Sequence, residues 1–248
     1  MSRRLILVLI GALVVVVGVG AAAVFLLNQT EAKALPGAET ALESGDGVTV
    51  ETEPWYSFVP DDAASTGFIL YPGARVDPTA YAPSVRGIAE DGFLSVIVPM
   101  PFGIAALGAE KADEVMEAYP EIDKWVIGGH SIGGAMAVQY TDDHTDIVDG
   151  IALWGAYPSP DDDISETSIP TVSVYASEDG LSSVEEIEDT AQYLPQGTEF
   201  VEIEGGNHTN FGLYETQDGD GVATIPAEEQ QLQTMTATLE LLETVEGA

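Results

Sequence analysis

The sequence predicts an α/β domain on a doubly wound, mostly parallel sheet, and three observations carry that expectation. Short apolar runs recur along the chain, and each is apolar on both faces, as buried parallel strands are. Stretches of helical period alternate with them. One run, Trp125–Ile127, leads into Gly128, Gly129, Gly133 and Gly134 around a single serine, a sharp strand-to-helix turn.

The elements follow in chain order. Leu5 to Leu27 carries no charge and follows Arg3 and Arg4. It exceeds the roughly 7–15 residues of a cleavable signal's apolar core and matches the about 20 that span a bilayer. The expectation is a retained signal anchor over residues 1–27, arginines on the cytoplasmic side and the domain outside the cell. "SRRLIL" is also similar to a twin-arginine export signal. Residues 28–47 read as a polar linker with a helical piece at Ala38–Leu42. The domain then runs over 48–248. Val48–Glu51 and Trp55–Val59 read as an antiparallel opening pair. Strands are expected at Gly67–Tyr71, Phe93–Val98, Trp125–Ile127, Ile151–Trp154, Thr171–Tyr175 and Phe200–Ile203. Helices are expected at Ala80–Glu90, Ala106–Tyr119, Gly133–Tyr140, Val184–Tyr193 and Ala227–Val245, the last with Leu232, Met235, Leu239 and Leu242 on its apolar face.

Composition narrows the function. The 248 residues are 45% hydrophobic, enough for one domain with a core. With no cysteine, disulfides, thiolate metal sites and a cysteine nucleophile are excluded. Acids outnumber bases 42 to 7, a net charge of -35, so there is no basic patch for nucleic acid. The acids are spread along the domain, which points to a solvated acidic surface suited to the high salt of a halophile.

The serine sits in Gly129-His130-Ser131-Ile132-Gly133, the pattern G-x-S-x-G. Such a turn holds the serine strained, with its hydroxyl exposed at the carboxyl end of a strand. Side chains two residues before and after it would collide, and glycine removes both. A serine nucleophile needs an acid after a later strand and a histidine after the last one. Thr171–Tyr175 runs into Glu178-Asp179-Gly180, and Phe200–Ile203 into Gly205-Gly206-Asn207-His208. His130 lies beside the serine and His144 in an acidic, solvated loop, leaving His208 as the base. Asp179 is the expected orienting acid because Gly180 can turn it inward, with Glu178 the competitor. The oxyanion takes two backbone N–H donors, expected from Ile132 and from Ala74 in the Pro72-Gly73-Ala74 loop.

With "YPGARVDPTAYAP", "VPMPFGIAAL", "GGHSIGGAMA", "YASEDG", "GGNHTNFGLY", "QDGDGVATI" and "EEQQ" in this order, the chain from about Val48 to Val245 resembles the α/β-hydrolase superfamily. Within it, the chain is similar to small hydrolases related to the dienelactone-hydrolase group. The resemblance implies an α/β-hydrolase fold and the same triad, Ser131, Asp179 and His208. The nucleophile here is serine where dienelactone hydrolases proper have cysteine, so their substrate is not implied. In this superfamily a lid enters after the strand Ile151–Trp154. Only Gly155–Ile169 stands there, which implies a lidless site, with Met100, Phe102, Tyr157 and Phe211 as candidate pocket residues. Asp218-Gly219-Asp220-Gly221 lacks the closing glutamate of a calcium loop and reads as a surface turn. The expected function is a serine hydrolase for a small carboxylic ester or related acyl compound, without metal or cofactor. The alternatives are acyl transfer or peptide cleavage on the same triad, or a non-catalytic binding protein. Oligomeric state is not encoded in any feature of the sequence.

Overall fold

The computed structural model describes residues 31–248; the expected anchor lies outside them. Among the described residues no helix is long and apolar enough to cross a membrane.

The strands are β1 (Val48–Glu51), β2 (Tyr56–Pro60), β3 (Thr66–Tyr71), β4 (Leu94–Ile97), β5 (Lys124–His130), β6 (Gly150–Trp154), β7 (Thr171–Ala176) and β8 (Glu199–Ile203). The helices are α1 (Ala82–Glu90), α2 (Lys111–Ala118), α3 (Ile132–Asp143), α4 (Val184–Thr190) and α5 (Ala227–Gly247). The strands form one sheet in the order β1-β2-β4-β3-β5-β6-β7-β8. The first two pairings are antiparallel and the rest parallel. The chain leaves β3 for β4 on one side and returns as β5 on the other. That reversal opens a crevice at the carboxyl ends of β3 and β5, where ligands of open α/β sheets sit.

Side chains alternate across the sheet, so it has two cores. Phe68, Leu70, Val126 and Trp154 face α1 and α5. Ile69, Tyr71, Ile127 and Leu153 face α2 and α3. β3 is buried along its whole length, as its unbroken apolar run requires. β8 differs from the expectation. It is an edge strand, and Glu199, Phe200 and Glu202 are exposed.

Local chemistry sets the helix ends. Ser183 and Glu186 form a reciprocal capping box that starts α4. In α5 the buried face differs from the expected one. Thr234, Thr238, Leu241, Leu242 and Val245 point inward, while Leu232 is exposed. The threonines fit because their hydroxyls donate back to the carbonyls of Gln230 and Thr234 at 2.9 and 2.8 Å. Thr238 Oγ1 also accepts the Trp154 indole N–H at 3.0 Å.

Residues 32–47, expected as a linker, pack against the domain. The Ala32 N–H donates to the Arg75 carbonyl at 2.7 Å, and the Ala32 carbonyl accepts from Asp77 at 2.9 Å. The Leu35 N–H donates to Leu213 at 2.9 Å, and Ala38 is fully buried in a 3-10 turn, Ala38–Leu42. The polar composition misled because backbone groups, not side chains, make most of these bonds.

Candidate active site

Ser131 joins β5 to α3 with φ 55 and ψ -127, a left-handed backbone that non-glycine residues rarely adopt. The flanking glycines make this turn possible. A Cβ added at Gly129 would overlap the backbone of Gly133, and one at Gly133 would overlap the Tyr71 carbonyl oxygen. The same contact shows that the start of α3 abuts the Pro72-Gly73-Ala74 loop. Ser131 is half-buried and Ile132 stands exposed beside it.

Asp179 and His208 come from the ends of β7 and β8. Asp179 Oδ2 lies 2.8 Å from His208 Nδ1, and both side chains are buried. The other carboxylate oxygen, Oδ1, accepts the N–H groups of Leu181 at 2.8 Å and Ser182 at 2.6 Å. A carboxylate facing Nδ1 fixes the proton there and leaves the lone pair on Nε2. His208 Nε2 is buried and has no hydrogen-bond partner among the described residues. Glu178, the competing acid, is exposed.

The Gly73 N–H is taken by the Tyr81 hydroxyl at 3.0 Å. The N–H groups of Ala74 and Ile132 meet no acceptor among the described residues. Ile132 is also the first residue of α3, where the helix dipole favours negative charge.

His130 is not solvated. It is fully buried, its ring centroid lies 4.4 Å from that of His208, and its Nδ1 shares a 2.8 Å hydrogen bond with the Tyr81 hydroxyl. Burial, and then the neighbouring His208, hold its pKa well below the usual histidine range, so the ring is neutral.

A cavity of about 190 Å³ adjoins Ser131, lined by Ile132, Ala135, Ala156, Tyr157, Leu181 and Ser182. Of the four expected pocket residues, only Tyr157 lines it. Its phenol donates to Glu186 at 3.0 Å and is pushed up by burial and by that carboxylate. Met100 is buried in the core on the α2 and α3 side. Phe211 is core too, its ring 5.5 Å from that of His130. Phe102 is 54% exposed on a turn with φ 55. An aromatic residue looks the same in a sequence whether it lines a cavity or fills a core. Residues 155–170 hold no helix or strand, so no cap domain enters after β6.

His144, expected in a loop, caps the C-terminus of α3, its ring stacked on Tyr140 with centroids 4.2 Å apart. Its ring, Glu110 and Asp113 each bring an atom within 4.8 Å of the others. That grouping is accounted for without an ion, because Asp113 accepts the Tyr140 hydroxyl at 2.5 Å and His144 Nδ1 faces the Tyr140 carbonyl at 2.9 Å.

Two residues near His208 escaped the sequence reading. Asp220, taken for part of a surface turn, reaches the His208 backbone, and Gln230 is fully buried against Asn207. The legible signal was an acid set between two glycines, directly after the histidine loop.

Comparison with known proteins agrees with this architecture. A model of the alpha/beta hydrolase family matches residues 67–232. No curated protein matches the sequence. Among solved structures, a predicted CIB-like hydrolase from Thermoplasma acidophilum is 18% identical, over 78% of this chain and 100% of its own, with a TM-score of 0.56. A dienelactone hydrolase from Anabaena variabilis is 17% identical over 79% and 99%, TM-score 0.57. A thermophilic esterase from Thermogutta terrifontis, malate bound, is 16% identical over 80% and 98%, TM-score 0.57. At these identities the likeness to the solved structures is one of fold.

Proposed function

The chain belongs to the alpha/beta hydrolase family, and on that premise we propose that it is a serine hydrolase acting on a small carboxylic ester or related acyl compound. One observation carries the reading. At the crevice where Ser131 is held at φ 55, the His208 ring is fixed by Asp179 at 2.8 Å with Nε2 left free.

The chemistry proceeds in two halves. His208 Nε2 takes the Ser131 hydroxyl proton as Oγ bonds to the acyl carbon. The carbonyl oxygen becomes an oxyanion, and the Ile132 and Ala74 N–H groups donate to it. Asp179 holds the imidazole in the required tautomer and stabilises its charged form. His208 then returns the proton to the leaving alcohol as the C–O bond breaks, leaving an acyl-enzyme on Ser131. Water repeats the sequence, giving its proton to His208 and releasing the acid. No residue in this scheme calls for a metal or cofactor.

The cavity beside Ser131 supports a small acyl group. Its volume of about 190 Å³ falls below the roughly 300 Å³ where ordinary ligand pockets begin, and Ala135, Ala156, Ile132 and Leu181 give it apolar walls. The charge-free stretch from Leu5 to Leu27 behind Arg3 and Arg4 supports an anchor that holds the domain outside the cell.

Nitrophenyl ester hydrolysis by the full chain in detergent and molar salt tests the reading. Acetate and butyrate esters should turn over, and octanoate poorly. Ser131→Ala, folded by circular dichroism, should lower kcat by at least about a thousandfold. Equal rates in wild type and variant, or no turnover by folded wild type, would sink it.

A further inference from the structure

We propose that Asp220 and Gln230 are positioning residues for the general base. They clasp the backbone that carries His208, and Asp220 ties it to the loop that carries Asp179. The proposal rests on the reading of Ser131, His208 and Asp179 as a catalytic triad.

The histidine loop has no strand ladder to hold it. After β8 the chain runs through Gly205 and Gly206 into Asn207-His208-Thr209. Three consecutive N–H groups there need acceptors if the loop is to be fixed. Two side chains from farther along the chain supply all three. Gln230 Oε1 accepts the Asn207 N–H at 3.0 Å, while its Nε2 donates to the Asn207 carbonyl at 2.7 Å. Asp220 Oδ1 accepts the His208 N–H at 3.1 Å. Asp220 Oδ2 accepts the Thr209 N–H at 2.7 Å and the Thr209 hydroxyl at 2.6 Å.

Asp220 also holds the other half of the pair. Its Oδ1 accepts the N–H of Gly180 at 3.3 Å and of Gly221 at 2.7 Å. Gly180 follows Asp179 directly, and Asp179 in turn is set by the next two N–H groups, from Leu181 and Ser182. One carboxylate thus reaches the backbone of the base and the backbone of the acid that orients it. Packing forces the same proximity. A Cβ added at Gly221 would overlap the Glu178 carbonyl oxygen, and one at Gly180 would lie 2.6 Å from the Gly219 carbonyl oxygen. Asn207 closes the loop from its side, its Nδ2 donating to the Gly221 carbonyl at 2.9 Å.

The bonds to Asp220 are charge-assisted, the stronger kind. Their consequence for catalysis is geometric. The His208–Asp179 bond fixes the ring relative to the acid, but neither is fixed relative to Ser131 unless both loops are held. A displacement of about 1 Å at a reacting group can cost about a hundredfold in rate. A residue that only stabilised the fold would lower the unfolding midpoint and leave the active molecules at full kcat.

The test uses the full chain as wild type, Asp220→Asn and Thr209→Val. Asparagine keeps the shape of the side chain but cannot accept from the Thr209 N–H through its amide nitrogen. Valine keeps the Thr209 N–H bond and removes the hydroxyl, which donates to Asp220 and accepts the Gln217 N–H at 3.2 Å. Three readouts are taken: circular dichroism, kcat and KM on nitrophenyl butyrate, and the downfield proton NMR resonance of His208 Nδ1–H. In Asp220→Asn, kcat should fall by about tenfold or more with KM within about twofold, and the resonance should shift or broaden. Thr209→Val should move both in the same direction, by about threefold in kcat. A folded Asp220→Asn with wild-type kcat and an unmoved resonance overturns the clasp. If Asp220→Asn does not fold, Thr209→Val decides, and wild-type kcat and resonance there overturn it equally. A folded wild type with no ester turnover and no phosphonate labelling of Ser131 overturns the triad reading itself, and the catalytic role of the clasp with it.

Discussion

His130 and Ser131 are neighbours in sequence with opposite demands. Ser131 must be reachable, whereas His130 is sealed between Tyr81, Phe211 and His208. Its burial has a measurable cost in acid. The folded state holds His130 neutral, while the unfolded chain protonates near the ordinary histidine value of about 6.5. The folded pKa is the lower one, so the full stability is present above pH 6.5 and is lost as pH falls from there toward the folded value. Denaturant unfolding of the full chain at pH 7.5 and 5.5 should show this. Relative to His130→Asn, the wild-type folding constant should drop by up to about tenfold per pH unit within that window. A parallel pH dependence in the two proteins would show that His130 is not held neutral. At this scale the sequence was legible where residue type and strand end coincide, as in the strained turn at Ser131 and the pairing of Asp179 with His208. It was opaque where a side chain's surroundings decide its role. Met100 and Phe211 fill cores, Tyr157 lines a cavity, and Asp220 is an internal clasp drawn from what reads as a surface turn.

At the scale of elements, the parallel strands announced themselves because strands buried on both faces have few polar positions, small ones such as Ser95 and Ser173. The edge strand β8 leaves Glu199, Phe200 and Glu202 exposed, and only its last residue is fully buried. The α5 face was misread because its buried threonines satisfy their hydroxyls within the helix and count as polar in any periodicity. The segment 32–47 was misread for a similar reason. Its own contribution is mostly backbone, in bonds to Arg75, Asp77 and Leu213 and in the carbonyls of Ala41, Glu43 and Gly45 that accept from the Arg86 guanidinium, which its side-chain pattern does not report. Arg75 follows Ala74, so this segment braces the loop that carries the proposed second oxyanion donor. Deleting 32–47 within the full chain should lower the thermal midpoint by about 5 °C or more, and should lower kcat as well. An unchanged midpoint would mean that the segment is a linker after all.

Across the whole molecule, charge is the dominant property. Acids outnumber bases 42 to 7, so a pair such as Arg86–Glu90 at 2.7 Å is open to few of the carboxylates. Most carboxylates therefore repel one another across the surface. The screening length falls from about 10 Å at 0.1 M salt to about 3 Å at 1 M. The thermal midpoint of the full chain should accordingly rise by roughly 5–10 °C between 0.1 and 2 M potassium chloride. A flat response would contradict adaptation of this surface to high salt. The scaffold beneath that surface brings the strained Ser131 turn, the Asp179–His208 pair and the Pro72-Gly73-Ala74 loop to the carboxyl ends of its strands. The most direct measurement is covalent labelling of the folded full chain with a fluorophosphonate, followed by peptide mapping. A serine nucleophile predicts one adduct, on Ser131, and its near-complete loss in folded His208→Ala. An unlabelled wild type, or an adduct on any other residue, would contradict it.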